Sequence, residues 1–400
     1  MTPVSRGQYP VGAGATIAAL TDAPHPLLRR LREQEPVSWL PVLGGWLVTR
    51  RDLAQQVMRD PRTFTVDDPR FSTARVVGPS MLSLDGTEHR RHRDPFTGAF
   101  REHQVEARLA SVAEAEAARL VAGLARAGAA ELRGSLAGPL AAAVMAQVLG
   151  LAGTDPRVIL SWYQAIVGAV TALSGTGLSG AETAAGAAAF AQLSASVEAS
   201  IARAGSSSLL AVASQDTGLS TPEIVSNAAV LMFGGIETTE GMIGNAVWYL
   251  LGDQAQLAQV VADRSLVAAA VEESLRLEPA AAVVDRYATA EVTLGTAAIR
   301  AGDRVTVSLA AAGRDPAFFP DPDRFDIGRE NARQHLGFAV GPHFCIGAHL
   351  ARLEAQTALS ALLDALPGLR LEQGSADRPR GLVFRKPPQL RVRWDLPGQE

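Results

Sequence analysis

The chain has 400 residues, 47% of them hydrophobic and 20% charged, and a formal net charge of −4. It can bury a large core, but it has neither the basic footprint of a nucleic-acid binder nor a run of about 18 uncharged apolar residues that could cross a membrane. Its single cysteine, Cys345, excludes an internal disulfide.

Met1 to Pro10 lacks the apolar stretch of a signal peptide, so a cytoplasmic location is expected. The pair Gly12 and Gly14 has no preceding strand and no third small residue, and reads as a flexible leader. Pro24 to Gln34 predicts a helix, and Val37–Leu40 with Trp46–Thr49, parted by Gly44-Gly45, predicts a hairpin. Alanine and leucine then recur at helical spacing over Glu106–Ala127 and Leu136–Leu149. Between Thr171 and Gly186 the composition turns to Ser, Gly, Thr and Ala, which reads as a mobile connection, either a lid or a plain surface loop. A long helix follows, with Ile224, Ala228, Leu231, Gly235, Thr238 and Met242 on one face. Val292–Leu294 and Arg304–Val307 read as short strands, Gly313 to Phe325 as irregular chain crowded with Pro and Asp, and Leu382–Phe384 and Leu390–Trp394 as a β-like tail. Length alone, at ~150 residues per domain, suggests two or three domains, yet no linker interrupts the pattern.

Four places in this pattern carry chemistry. His89 and Arg93 lie one helical turn apart and can reach one anion together, although a basic cluster is also what a solvated face looks like. In the long helix Gly234 and Gly235 each cost ~1 kcal/mol against alanine, and Glu237 sits beside Thr238 in an apolar run. A helix kinked at the glycines, with Thr238 bonded to the preceding turn's carbonyl, accounts for the same residues. Glu273 and Arg276, three apart, form on their own a surface ion pair worth a few tenths of a kcal/mol. Cys345, finally, stands between Gly341 and Gly347 directly before a helical pattern, where the helix N-terminus favours thiolate. It reads as a metal ligand, as a small buried hydrophobe, as part of a zinc site with His335, His343 and His349, or as a nucleophile.

The run Phe338-x-x-Gly341-x-His343-x-Cys345-x-Gly347 resembles the haem-binding loop of the cytochrome P-450 family, with Ala339 where a glycine is common. Gly234-Gly235-Ile236-Glu237-Thr238-Thr239 resembles that family's oxygen-binding groove, and Glu273-x-x-Arg276 followed by Pro322-Asp323-Arg324-Phe325 its buried charge triad. The resemblance implies a mainly α, triangular helical domain with a small β-rich side, spanning 1–400 as a single domain. It implies haem b with Cys345 as axial ligand of the iron, Phe338 shielding the sulfur, and Gly341 and Gly347 supplying tight backbone. His89, Arg93, Arg286 and His343 would face the propionates. Gly234 and Gly235 would make room for dioxygen, Glu237 would relay protons, and Thr238 would hydrogen-bond the oxygen. Glu273, Arg276 and Arg324 would be structural, and Gly313, where asparagine is usual, would alter only a local cap.

The implied activity is insertion of one oxygen atom from O2 into a hydrophobic small molecule, by hydroxylation or epoxidation. Electrons would come from a ferredoxin and its reductase or a similar donor; Arg90, Arg91, Arg101 and Arg333 read as ordinary solvated basic residues or as an acceptor face for an acidic ferredoxin. A peroxide-driven peroxygenase and a haem carrier or sensor without turnover are the alternatives. No nucleic acid or membrane partner is expected.

Overall fold

The computed structural model describes residues 8–151, 153–174, 180–202, 209–214, 218–372, 374 and 377–396. Its principal helices are α1 (Pro24–Gln34), α2 (Arg51–Arg59), α3 (Gly86–Thr97), α4 (Glu102–Leu124), α5 (Gly138–Val148), α6 (Pro156–Ser174), α7 (Gly180–Ala202), α8 (Thr221–Gly252), α9 (Val267–Leu277) and α10 (Ala348–Ala365). The strands used below are β1 (Val37–Leu40), β2 (Gly45–Val48), β3 (Phe64–Thr65), β4 (Val283–Ala288) and β5 (Arg304–Ser308). Contacts divide the chain into two compact units, one of residues 1–66, 241–345 and 367–395, the other of 67–240, 346–366 and 396–400.

The first unit holds the sheet, in the order β1-β2-β5-β4-β3. The hairpin pairs Val37 with Val48 and Trp39 with Trp46, and Gly44 (φ 60°) takes the left-handed position its turn demands. Strand β5 runs parallel to β2 and antiparallel to β4, placing Arg286 opposite Val305. One apolar cluster, with Val48, Val57, Met58, Phe64, Val305, Val307 and Leu336 buried, also takes in Val284, Ala339 and Val340, so the segment before Cys345 is seated on the sheet's core. The expected leader is instead packed. Pro10–Ala13 is helical, the Gly12 N–H donates to Glu35 Oε2 at 3.0 Å, and a side chain at Gly12 would strike the Trp39 carbonyl.

The second unit is helical at its centre. Helix α4 lies along α10, burying Val105, Leu109, Ala113, Ala117 and Val121 on one side and Leu350, Ala351, Ala355, Ala358, Leu359 and Leu362 on the other. The segment expected as a mobile connection is mostly helix, since α6 runs to Ser174 and α7 starts at Gly180; residues 175–179 lie outside the described residues. Its small residues have a packing reason. A Cβ at Gly186 would collide with the Ala169 side chain, so α6 and α7 can approach closely only with glycine there. The sequence pattern of α8 is realised over 32 residues.

Candidate functional site

In the first unit the loop from Phe338 to Cys345 is closed by the Cys345 N–H donating to the Phe338 carbonyl at 2.9 Å. Ala339 (φ 57°) and Gly341 (φ 78°) both take left-handed backbone. At Gly341 glycine is needed twice over, because a Cβ would also come within 2.6 Å of the Met58 carbonyl oxygen. The loop thus presents Cys345 half-buried, with Phe338 buried and His343 half-buried beside it. Arg286, on β4, is only 5% exposed and donates to the Asp285 carbonyl at 2.7 Å.

The loop is braced by a charge network that differs from the expected triad. Arg276 uses all five N–H donors: two on the Glu273 carboxylate at 2.7 Å each, the others on the carbonyls of Gly313, Pro322 and Arg324. The third charged member is Arg329, whose Nε donates to Glu273 Oε1 at 3.0 Å, and the exposed Arg324 contributes only its carbonyl. Nothing in the order of residues separates the two arginines; only the path of the irregular segment does. Gly313 does more than alter a cap, since any side chain there would run into the Arg276 carbonyl. His335 is spent on this bracing too, with Nε2 3.1 Å from Glu272 Oε2 and the Gly337 N–H donating to its Nδ1 at 2.9 Å. Among the described residues no group of three or more His, Cys, Asp or Glu could hold a metal ion, which removes support for the zinc reading.

In the second unit α8 is buried along its centre except at Gly234, Gly235 and Thr238, which are partly accessible. A Cβ at Gly234 would meet nothing within 4 Å, whereas one at Gly235 would collide with the Met145 side chain of α5. The two glycines therefore serve different ends, one leaving open space and the other allowing close packing. Thr238 donates its hydroxyl to the Gly234 carbonyl at 2.5 Å, as the helix-bending reading expected. Glu237 is 5% exposed. His89 and Arg93 share the inward face of α3, with His89 buried and Arg93 half-buried. Gly347 precedes α10, and a Cβ there would also meet nothing within 4 Å.

In the first unit the half-buried Cys345 thiol on its preformed loop is a donor suited to haem iron, and in the second unit Gly234 and Gly347 each leave open space where a side chain would stand. The chain is 35% identical to the cytochrome P-450 monooxygenase PikC of Streptomyces venezuelae, covering 93% of this chain and 91% of that protein. The chain belongs to the cytochrome P-450 family. The family's own model matches residues 192–366. The mycinamicin IV hydroxylase/epoxidase of Micromonospora griseorubida is also 35% identical, over 91% of this chain and 94% of that one. Among solved structures CalO2 superposes with a TM-score of 0.87 at 31% identity, covering 94% of this chain and 97% of that one. This P-450 binds haem b and is an oxidoreductase, a haem-thiolate monooxygenase. Among the described residues no helix is long and apolar enough to cross a membrane.

Proposed function

We propose that residues 1–400 act as one monooxygenase domain in which Cys345 would supply the thiolate that holds the haem iron. The observation that carries this is the Phe338–Cys345 loop, whose backbone is closed on itself and which presents a half-buried thiol. When bound, haem supplies the oxidising chemistry that activates dioxygen and places one of its oxygen atoms on the substrate. Phe338, packed at 5.6 Å against the His335 ring, keeps water from the sulfur. His89, Arg93, Arg286 and His343 hold the acidic edges, and Gly347 and Gly234 leave room for the body of the group and for dioxygen. Glu237 moves protons, and the Thr238 hydroxyl hands them on from its position at the Gly234 carbonyl.

The substrate is a hydrophobic or amphipathic small molecule that is hydroxylated or epoxidised, and electrons arrive from a ferredoxin with its reductase in the cytoplasm. The relatives support the reaction class rather than one compound, because their named substrates differ. Replacing Cys345 with alanine tests the ligand assignment. The variant is expected to lose the far-red-shifted Soret band of the reduced carbon monoxide complex, and a Cys345→Ala protein that keeps this band overturns it.

A further inference from the structure

Glu240 lies on α8 two residues past Thr238 and one turn past Glu237, and it is 6% exposed. Residues three apart on a helix have Cβ atoms about 5–6 Å apart, so two buried carboxylates flank the proposed proton path. Glu240 is met by Arg133, whose Nε lies 2.7 Å from Glu240 Oε1. Arg133 opens a π-helical turn, Arg133–Ala137, a geometry that recurs at functional positions. That turn is pinned: Glu131 accepts the N–H groups of Arg133 at 3.1 Å and Gly134 at 2.8 Å, and the Ser135 hydroxyl donates to the Glu131 carbonyl at 2.5 Å. The chain then enters α5 directly, and Met145 of α5 is the residue that fills the space beside Gly235. One pinned segment therefore grips α8 at Gly235 and again at Glu240, with Glu237 and Thr238 between the two grips.

We propose that Arg133 is a positioning residue for oxygen activation: its ion pair with Glu240, together with Met145 against Gly235, holds Glu237 and Thr238 in the alignment that delivers protons. The proposal rests on the proton-relay reading of Glu237 and Thr238. Losing the guanidinium takes the ion-pair partner from a buried carboxylate one turn from Glu237 and releases one of the two grips. Arg133 is 26% exposed at its side chain, so removing it opens no large cavity.

The test uses the haem-loaded protein with a surrogate ferredoxin, its reductase and a compound that produces a spin-state shift. Hydrogen peroxide released per reducing equivalent is measured for Arg133→Ala, Arg133→Lys, Thr238→Ala and the double exchange Arg133→Glu with Glu240→Arg. Arg133→Ala is expected to raise peroxide release by at least half the rise caused by Thr238→Ala, with the carbon monoxide band unmoved. Arg133→Lys restores coupling, and the exchange restores part of it. A thermal double-mutant cycle on Arg133 and Glu240 is expected to show the two coupled. Arg133→Ala that melts earlier yet couples like the parent overturns the proposal and leaves the relay reading standing. A silent Thr238→Ala removes the relay reading, and the proposal falls with it even if Arg133→Ala releases peroxide, because the proton path then does not run through the gripped threonine.

Discussion

Glu273 and Glu354 are both fully buried, each at 0% exposure, yet their surroundings are opposite. Glu273 accepts from Arg276 twice, from Arg329, and from the Asp326 N–H at 3.0 Å. Glu354, on the face of α10 that also buries Ala351, Ala355 and Ala358, has no hydrogen-bond partner for either carboxyl oxygen among the described residues. Burial alone lifts its pKa well above the ordinary 4.5. Equal burial thus leaves an acid held by several donors in one place and, in the other, an acid whose proton burial favours; the supply of donors makes the difference.

The contrast is broken most severely at Arg276. Arg276→Ala takes the two guanidinium hydrogen bonds from the buried Glu273 carboxylate, leaving it Arg329 and the Asp326 N–H, and removes the same donor from the Gly313 and Pro322 carbonyls, at a cost of about 3–5 kcal/mol. A sharply lowered urea midpoint with reduced haem content after purification is expected, and a midpoint within error of the parent would show that the network is dispensable. Arg329→Ala is expected to cost less, since Arg276 still holds the carboxylate, and Arg324→Ala least, since only its carbonyl takes part.

At Glu354 the expected change is smaller and opposite in sign. Replacing an unpartnered buried polar group with an apolar one of similar volume removes a desolvation penalty of ~1–3 kcal/mol, so Glu354→Met should melt at a higher temperature. Because its folded pKa lies above the unfolded 4.5, the unfolded chain gives up this proton first as pH rises. The parent therefore loses stability as pH climbs from 4.5 toward the folded value, and the variant lacks that slope. Thermal melts across this range check it, and parallel profiles for the two proteins would mean that Glu354 has a donor after all.

The same contrast marks what could be read from the chain. Helix α1 emerged with its observed ends, since Pro24 opens it and Leu28 and Leu31 show its buried face. The cysteine loop was legible because glycine, phenylalanine and cysteine at fixed spacing have few other uses, and Gly341 shows the backbone reason directly. The α6–α7 region was misread because small residues serve loops and close helix crossings alike, and composition does not separate them. Arg329 and Arg133 were missed for a different reason. Each meets its partner across a long stretch of chain, Arg329 reaching Glu273 over 56 residues and Arg133 reaching Glu240 over 107, and an arginine far from its carboxylate looks like any solvated one. Glu354 carries a weak signal in its alanine-flanked position on a helical face, but only three-dimensional packing reveals that no donor arrives.

The smallest effect is expected at Arg91, where the carboxylates involved lie near solvent. Arg91 bonds Glu88 at 2.8 Å and Glu223 at 2.5 Å, and reaches the Gly218 carbonyl at 3.0 Å. The hydrogen bond from Arg91, the largest cause, holds Glu223 down to about 2. Stability from this contact is therefore present above the ordinary 4.5 and is lost as pH falls toward 2. With Glu223 at 30% side-chain exposure, solvent screens most of it, and Arg91→Ala should shift the melting temperature only slightly at moderate salt. An arginine with two carboxylates in place presents little net positive charge outward, so Arg91 is a poor member of the acceptor face expected for an acidic ferredoxin. Arg90, Arg101 and Arg333 are exposed. In stopped-flow reduction by an acidic ferredoxin, Arg101→Ala is expected to slow first-electron transfer and flatten its salt dependence, whereas Arg91→Ala leaves both unchanged. Slowing by Arg91→Ala as large as that by Arg101→Ala would mean that its two carboxylates release it when the donor docks.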